Sequence, residues 1–437
     1  MVERLSTWGT TFASLQWLFF IFANTVVVPI SIGTAFELPQ HEIAMTLSSS
    51  LLFTGIACVL QGLFGHRYPV MEGHSGIMWG VILNLSLTSS SLGVSLTTIG
   101  GGIATGMLLA GTVVLILGML KALTFIARIF TPMVMTVYLF LLTFQLIFIF
   151  SKGMLKITQD GKLDIPVSLF SISIVILVAI LIIKGPKIVS NFAILIGMAA
   201  GWIGYVLLFQ SEETFRPAMS FGLSIFPFGP PNLHIGIILI TFLSCFINLS
   251  NTMASVQAAA KLFHKKPTQR QYNRSYLLNG FFSIGAALLG LVSYAPYASS
   301  IGFLESTRIY SLRPYLIGGG LMVLLGVFPP LGGILATLPI TVGNAVLFVA
   351  YLQLLGTSFH SLNGYSFNSV TIYRLAFPLL VGVSIMSLDP KLFQQLPVFI
   401  QPIVANGFII GVVLSILLEK LIRWDKVDQS RESSGDF

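Results

Sequence analysis

Residues 73–120 read GHSGIMWGVILNLSLTSSSLGVSLTTIGGGIATGMLLAGTVVLILGML, a run that contains no Asp, Glu, Lys or Arg. A run of about 18 or more such residues can cross the hydrocarbon core of a bilayer as a helix, and this one is long enough for two crossings. Uncharged runs of the same kind extend outward from it over residues 5–36, 43–65, 129–151, 165–183, 188–210, 217–260, 275–304, 314–373 and 392–418. The pattern predicts a protein that crosses a membrane many times.

The overall composition indicates the same class. Of 437 residues, 55% are hydrophobic and 9% are charged, with a mean hydropathy of +0.91, whereas soluble chains carry about 25% charged residues. A backbone in lipid must satisfy its own hydrogen bonds, which a helix does within one segment. Strands of an outer-membrane barrel alternate apolar and polar residues, and this sequence does not. We therefore expect an all-α polytopic membrane protein.

The polar breaks within the uncharged runs predict about fourteen transmembrane spans. The tenth span is short and interrupted by polar residues, so it is the least helix-like. The predicted spans lie near residues 12–31, 43–65, 70–87, 96–119, 131–150, 165–183, 189–209, 234–257, 276–293, 298–307, 314–328, 333–355, 372–388 and 397–418.

The basic residues predict the orientation of the chain. With a cytoplasmic N-terminus, eighteen of the 23 Lys and Arg residues fall in cytoplasmic segments, as the positive-inside rule requires. We therefore expect a multi-pass protein of the plasma (inner) membrane with both termini in the cytoplasm. The net charge of +8 is explained by these span ends, so we expect the lipid bilayer and no nucleic acid as a partner. The other five basic residues are Lys152, Lys156, Lys162, Arg216 and Lys391.

The most basic loop, residues 261–274, lies near the middle of the chain and suggests two halves of seven spans each. An odd number of spans inverts the second half, an architecture in which transporters bind cargo near the bilayer midplane. Residues 68–76 and 294–302 combine Pro, Gly and small hydroxyl residues where a regular helix would be rich in Leu. Broken backbone persists at membrane depth only when it is buried in protein or lines a cavity. We expect the cargo site at these two segments.

Glu72 and His74 are ionisable residues just inside the third predicted span. Such a group costs about 2.5–3.5 kcal/mol on insertion scales, which points to a role as a cargo ligand or as a proton-coupling pair. The alternative is structural, because Glu72 can reach the cytoplasmic end of the span or pair with Arg67 or His66.

Two further groups of polar residues fall within predicted spans. Asn248, Ser250, Asn251 and Thr252 form a cluster in the eighth span, denser than interhelical packing normally needs. Amide side chains offer both a donor and an acceptor, which suits the edge of a heterocyclic base. Tyr294, Tyr297, Ser299 and Ser300 lie in the tenth region, where freed backbone N–H groups and a helix N-terminus can hold cargo oxygens. Gln16, Asn24 and Thr25 are weaker candidates.

Motifs of enzymes are missing from the sequence. It contains no phosphate-binding P-loop, no His/Cys metal spacing and no Gly-x-Ser-x-Gly elbow. We therefore expect a non-enzyme without a cofactor, and transport driven by ATP would need another subunit.

Several motifs resemble those of the nucleobase–ascorbate transporter family, which includes uracil, xanthine and uric acid permeases. The resemblance spans nearly the full chain. Its motifs are Leu15-Gln16-x-Leu-Phe with Thr25-Val-x-Val-Pro29, Pro69 followed by Gly73-x-Ser75, and Arg274-Ser, Asn279-Gly280, Tyr297, Ile301-Gly302 and Thr307-Arg308-Ile-Tyr310.

The resemblance implies two inverted seven-span repeats with short antiparallel strands in the third and tenth spans. It implies a core domain of residues 12–119 and 231–328, a gate domain of residues 120–230 and 329–421, and a cytoplasmic tail of residues 422–437. Proton symport and a homodimer formed through the gate domain are implied as well. The predicted cargo contacts are Ser75, Gly76, Asn248, Asn251, Tyr297, Ala298, Ser299 and Ser300.

The sequence departs from the family pattern at the residues that bond the base. Family members carry a carboxylate in the eighth span and Glu or Gln in the tenth, where this chain has Asn248 and Ser299. Ser300 replaces the Asn of the family signature, and Gly76 replaces an aromatic residue. We hypothesise that Glu72 or His74 has taken over the proton or cargo role.

The leading interpretation is a secondary transporter for a nucleobase, a purine or uracil/xanthine, coupled to H⁺ and moved by rocking the core against the gate. The first alternative is an anion transporter or channel of related architecture, in which helix N-termini attract the anion. The second alternative, a non-transporting membrane sensor or scaffold, does not account for the polar clusters at mid-membrane.

Overall fold

The computed structural model describes residues 6–121, 129–157, 162–186, 189–190, 192–209, 222–297, 299–397, 399–422 and 424. Its elements are numbered over these residues. The first half of the chain contains α1 Thr7–Thr25, α2 Val27–Ala35, α3 Gln40–Leu63, β1 Glu72–His74, α4 Gly76–Leu87, α5 Ser89–Leu92, α6 Leu96–Met119, α7 Pro132–Met154, α8 Ile165–Lys184 and α9 Ala193–Phe209.

The second half contains α10 Ile235–Leu262, α11 Gln269–Leu288, β2 Tyr294–Pro296, α12 Ser299–Thr307, α13 Leu312–Val327, α14 Pro329–Leu335, α15 Ile340–His360, α16 Ser369–Ser387, α17 Gln401–Val404 and α18 Gly407–Leu421. A short 3₁₀ turn, Pro390–Phe393, precedes α17. The chain is therefore a mainly helical protein, as its sequence predicts.

Many of these helices can cross a membrane. Within the described residues, eight helical segments are long and apolar enough to do so, and the shorter helices α4, α9 and α13 are apolar as well. The count of fourteen spans stays a prediction. Two boundaries differ from those expected: the ninth helix begins at Gln269 rather than near 276, and residues 333–355 hold the end of α14 and the start of α15.

The first span is divided into two helices near its middle. α1 ends at Thr25 and α2 begins at Val27, while Val26 between them keeps helical backbone angles and its N–H donates to the Phe22 carbonyl oxygen at 3.1 Å. Pro29 has no N–H, so the Thr25 carbonyl oxygen four residues earlier receives no helical hydrogen bond from it.

Two three-residue strands interrupt the helices in the interior. β1 and β2 pair antiparallel, with Glu72 opposite Pro296, Gly73 opposite Ala295 and His74 opposite Tyr294. All six residues are buried. β1 lies inside the predicted third span, whereas β2 lies just before the predicted tenth span of residues 298–307. We call this pair the β1–β2 ladder.

The helices pack in two groups around the ladder. The first group joins α3 with α13, α1 with α13, and α6 with α10 and α11, and the second joins α7 with α15, α16 and α18, and α8 with α9 and α15. α4 contacts α7, and α2 contacts α15, so the groups meet beside the ladder. α14 packs on α3 of the first group, although residue 329 onward was assigned to the gate. The division into moving domains stays a prediction.

Glycines set the close approach of α3 and α13. A Cβ atom added at Gly55 would lie 2.6 Å from the Gly319 carbonyl oxygen and 2.7 Å from the Val323 backbone nitrogen. Both neighbours are backbone atoms, so only movement of a whole helix makes room. Gly111 of α6 and Gly280 of α11 meet in the same way, with a Cβ at Gly111 placed 2.8 Å from the Gly280 carbonyl oxygen.

α11 is the polar member of the first group. It is 20 residues long, yet it is not among the eight apolar segments. The Asn279 amide of α11 donates to Thr252 of α10 at 2.5 Å and accepts from the Gln61 amide of α3 at 2.7 Å. All three residues are buried. α11 therefore depends on its neighbours to satisfy its polar side chains.

We predict that Gly55→Ala destabilises the protein by about 1–3 kcal/mol, because overpacking forces α3 and α13 apart. Gly320→Ala in α13 is the matched control, since a Cβ there meets no atom within 4 Å and a helical Gly→Ala change is favourable by up to about 1 kcal/mol. Thermal unfolding of the purified protein in detergent measures both. Equal melting temperatures for the two variants would contradict the predicted contact.

Candidate functional site

α10 holds β2 in place through two side chains on one face. The Asn248 Nδ2 atom donates to the Ser293 hydroxyl and to the Tyr294 carbonyl oxygen, both at 3.1 Å. The Ser255 hydroxyl donates to the Pro296 carbonyl oxygen at 3.1 Å. These residues are seven apart, which places them on the same side of a helix. The predicted cargo residue Asn248 therefore uses both of its amide hydrogens to hold the backbone at β2.

β1 is held from the other side of the ladder. The Ser300 hydroxyl accepts from the Met71 backbone N–H at 3.0 Å, and the Tyr315 hydroxyl donates to the Val70 carbonyl oxygen at 2.7 Å. The Ser75 backbone N–H donates to the Ser293 carbonyl oxygen at 2.8 Å. The predicted residues Ser75 and Ser300 thus both bond the backbone of the ladder segments.

Two helices begin where the strands end. Ser75 caps α4, its hydroxyl accepting from the Met78 backbone N–H at 3.4 Å, and α12 begins at Ser299 just beyond β2. Because the strands are antiparallel, α4 and α12 leave the ladder at opposite ends. The positive end of each helix dipole therefore lies at the ladder. Ser299 is exposed, and the predicted residue Ala298 lies outside the described residues.

A chain of amides and one hydroxyl links the ladder to the second helix group. Asn251 Nδ2 donates to Asn248 Oδ1 at 3.2 Å, and the Tyr138 hydroxyl of α7 donates to Asn251 Oδ1 at 2.9 Å. An amide nitrogen has two hydrogens, so Asn251 keeps one that neither of these bonds uses. Asn251 is partly exposed. Of the two asparagines in α10, Asn251 is the one available to a ligand.

The first residue of α4, Gly76, has no side chain and faces the second helix group. A Cβ atom at Gly76 would lie 3.5 Å from Leu146, 3.7 Å from the Tyr351 hydroxyl and 3.8 Å from Leu142. One turn later, a Cβ at Gly80 would lie 3.1 Å from the Gln145 amide carbon. The predicted residue Gly76 therefore lies where α4, α7 and α15 come together.

Tyr297 covers the same face of β1. Its hydroxyl donates to the His74 carbonyl oxygen at 2.8 Å, and a Cβ at Gly73 would lie 2.7 Å from its ring. Gly73 therefore leaves room for the Tyr297 ring to lie across the strand. The polar groups around this face are Asn251, Tyr138, Gln145, Tyr297 and Tyr351, and we call this set of side chains the cargo face of the ladder.

Glu72 and His74 point to the opposite side, toward α3. The His74 Nε2 atom is 2.7 Å from the Ser50 hydroxyl oxygen, and the Val292 backbone also contacts the ring. The Glu72 backbone N–H and carbonyl oxygen both contact Cys58 Sγ, at 3.3 and 3.4 Å. The Glu72 carboxylate lies 3.4 Å from His66 Nε2. The contact that forms is Glu72 with His66, one of the partners that the sequence allows, and not Glu72 with His74.

Sequence reasoning missed three residues of this region: Tyr138, Gln145 and Tyr351. Tyr138 and Gln145 were detectable as isolated hydrogen-bonding residues in the apolar run 129–151. Tyr351 had no such signal among the many aromatic residues of the chain. Among the described residues, no group of three or more His, Cys, Asp or Glu is arranged to hold a metal ion.

Comparison with known proteins identifies relatives over the whole chain. The model of the Permease family matches residues 9–391. A putative purine permease, YwdJ of Bacillus subtilis, is 30% identical over 94% of this chain and 95% of its own length. The nucleobase transporter PlUacP of Paenibacillus larvae is 24% identical over 96% of both chains. The uric acid transporter UacT of Escherichia coli is 24% identical over 92% of this chain and 84% of its own length.

Solved structures share the fold at much lower identity. The transmembrane domain of the cyanobacterial bicarbonate transporter BicA superposes with a TM-score of 0.59 over 95% of this chain and 99% of that one, at 12% identity. SLC26A9 superposes with a TM-score of 0.62 over 93% of this chain and 65% of its own, also at 12% identity. At this identity the likeness describes the fold alone.

We predict that Asn248→Asp lowers stability by about 1–3 kcal/mol, because the Tyr294 carbonyl oxygen loses its donor and faces a carboxylate instead. The matched control is Asn363→Asp, since Asn363 is exposed in a loop. Thermal unfolding of the purified variants in detergent gives the comparison. An Asn248→Asp protein as stable as the control would show that this amide does not hold the ladder.

Proposed function

Because the chain belongs to the Permease family, that is, the nucleobase–ascorbate transporter family, we propose that it carries a purine across the membrane at the cargo face of the ladder. The protein is a nucleobase transporter and not an enzyme. The relatives reported above act on purines, nucleobases or uric acid by name, and uric acid is itself a purine. This agreement supports a purine rather than uracil as the cargo.

The observation that carries the proposed site is the Asn251 N–H that neither of its two hydrogen bonds uses. A purine presents ring nitrogens and carbonyl oxygens on its edge, which accept hydrogen bonds from an amide N–H and from backbone N–H groups at a helix start. The Tyr297 and Tyr351 rings on either side supply apolar surface for its faces. Gly76 keeps a side chain out of the junction of α4, α7 and α15, where a Cβ atom would already touch Leu146 and the Tyr351 hydroxyl.

The proposed mechanism is alternating access, in which the core domain rocks against the gate domain. The two packing groups supply bodies of this kind, and the Tyr138–Asn251 hydrogen bond of 2.9 Å joins them beside the cargo face. This bond must break when the groups move apart. A cargo that takes over the Asn251 amide replaces the lost bond and lowers the cost of the movement.

The remaining parts of the proposal concern the whole protein. We expect two inverted repeats of seven spans, both termini in the cytoplasm, and a homodimer formed through the gate domain, whose α8 presents exposed Ile165, Leu169, Ile176 and Ile180. Transport is coupled to H⁺ through a buried ionisable residue of β1, for which the sequence offers Glu72 and His74. The positive-inside count and the buried ionisable residues of β1 support these expectations.

The anion-transporter alternative rests on fold likeness. A bicarbonate transporter and SLC26A9 share the architecture, and two helix N-termini meet at the ladder. The side chains that line the cargo face are amides, hydroxyls and aromatic rings, which favour a neutral heterocycle over an anion. We therefore retain the nucleobase as the proposed cargo.

Uptake into cells that lack their own nucleobase permeases tests the cargo class. We predict saturable uptake of labelled xanthine, uric acid, guanine, hypoxanthine or adenine, faster at acidic than at neutral external pH because a proton moves inward with the cargo. Uracil serves as the monocyclic comparison. If labelled bicarbonate or chloride enters instead and no base does, the anion alternative replaces the proposal.

We predict that Asn251→Ala raises the KM for the purine roughly tenfold, since one lost hydrogen bond of about 1.4 kcal/mol corresponds to a tenfold change in affinity. Asn363→Ala, which removes an amide from an exposed loop, should leave the KM unchanged. Initial rates of uptake over a range of cargo concentrations measure both values. An unchanged KM in Asn251→Ala would remove this amide from the site.

A further inference from the structure

The Glu72–His66 pair is fully enclosed in the protein. Both side chains are 0% exposed, and His66 Nε2 lies 3.4 Å from Glu72 Oε1. Beyond this contact, neither carboxylate oxygen has a hydrogen-bond partner among the described residues. Burying a carboxylate without hydrogen-bond donors costs free energy of folding. We therefore look for a functional reason why Glu72 is kept in the interior.

The orientation of the His66 ring follows from its other nitrogen. The Tyr68 backbone N–H donates to His66 Nδ1 at 3.0 Å, so Nδ1 must offer a lone pair. The single hydrogen of a neutral ring is then on Nε2, which faces Glu72. A second proton on Nδ1 would break the bond from Tyr68. The group of this pair that gains and loses a proton is therefore the Glu72 carboxyl.

The other titratable groups near Glu72 are neutral side chains. They are Cys58 of α3, Tyr294 of β2 and Tyr315 of α13. In the described part of the chain, His66 is the one residue at ion-pair distance from Glu72, and no Lys or Arg compensates its charge. With a proton bound, the pair carries no net charge, and without it the pair carries one negative charge.

We propose that Glu72, with His66 as its positioning residue, is the proton-binding site of transport, on the side of β1 opposite the cargo face. The proposal rests on the proposed function. A proton from solvent adds to the carboxylate, the neutral pair moves with the core domain, and the carboxyl releases the proton on the other side. An unpaired charge inside the membrane is costly, so the core moves more readily when Glu72 is protonated.

The three residues of β1 connect this site to the cargo. Glu72 contacts Cys58 of α3 through both its N–H and its carbonyl oxygen, while the next residue, Gly73, packs under the Tyr297 ring of the cargo face. A shift of β1 on protonation therefore changes the position of Tyr297. His74, by contrast, is held by Ser50 and the Val292 backbone and faces no carboxylate. Its role is to hold the ladder.

An exit for the proton lies close to the pair. His66 is in the segment between α3 and β1, in which Phe64 and Arg67 are exposed. The Gln271 amide of α11 donates to the His66 carbonyl oxygen at 2.7 Å and fixes this segment. Glu72 is thus separated from one protein surface by a few residues of loop, and its proton does not need to pass the cargo.

The test uses the full-length protein in liposomes and compares wild type, Glu72→Gln and Glu305→Gln. Glu305 is an exposed carboxyl of α12 and is the matched control. Counterflow of labelled purine measures transport without a proton gradient, and accumulation under an imposed pH gradient measures coupling. A gradient of one pH unit drives at most about tenfold accumulation when one proton moves with each neutral cargo molecule.

We expect Glu72→Gln to retain counterflow and to lose accumulation, whereas Glu305→Gln retains both. The proposal is overturned if Glu72→Gln still accumulates the purine, or if counterflow by the wild type does not respond to pH. Either result leaves the proposed function intact. If Glu72→Gln does not fold, as thermal unfolding will show, His66→Ala replaces it. That variant must change the pH dependence of accumulation, because the carboxylate then lacks its facing N–H.

A second readout is independent of transport. Infrared difference spectra of the wild type between acidic and alkaline pH should contain, among the carbonyl stretches of protonated carboxylic acids, one component that is lost in Glu72→Gln and kept in Glu305→Gln. If no purine exchanges, the proposed function fails, and this band alone decides whether Glu72 binds a proton. A spectrum that is the same in all three proteins overturns the proposal.

Discussion

The structure depends on one requirement, that every backbone hydrogen-bonding group of a non-helical segment at membrane depth must find a partner inside the protein. Two three-residue strands meet part of this requirement by pairing with each other. Side chains that donate to or accept from the strand segments add to this, among them Asn248, Ser255, Ser300 and Tyr315. Because these side chains come from α10, α12 and α13, the strands also fix how the helices of the first group are arranged.

The same strands separate two kinds of chemistry. Alternate residues of a strand point to opposite sides, so Glu72 and His74 face α3 while Gly73 faces Tyr297. The side toward α7 and α15 is lined by amides, hydroxyls and rings that suit a neutral base, and the side toward α3 holds the buried carboxyl. Gly73, the middle residue of β1, must be a glycine because a Cβ atom there would collide with the Tyr297 ring.

The sequence predicts the architecture well because burial in lipid imposes simple patterns. Uncharged runs locate the helices, and Pro, Gly and Ser at residues 68–76 and 294–302 locate the break. The sequence does not reveal which side-chain amides already hydrogen-bond within the protein. The bond from Asn248 to the Tyr294 carbonyl oxygen, for example, joins residues far apart in the chain. The pairing of Glu72 with His66 was one of several local options, and only the tertiary structure selects it. Tyr138 lies in another helix group, so its bond to Asn251 has no signature in sequence spacing.

The polar helix α11 has a consequence for how the protein is made. A nascent segment with Asn273, Ser275, Asn279 and Ser283 on its buried side partitions poorly into lipid when it leaves the translocon alone. The two residues that bond the Asn279 amide, Gln61 and Thr252, precede α11 in the chain and are therefore synthesised first. The ribosome thus delivers α11 to a membrane that already contains the groups it needs, and its insertion is coupled to assembly with α3 and α10.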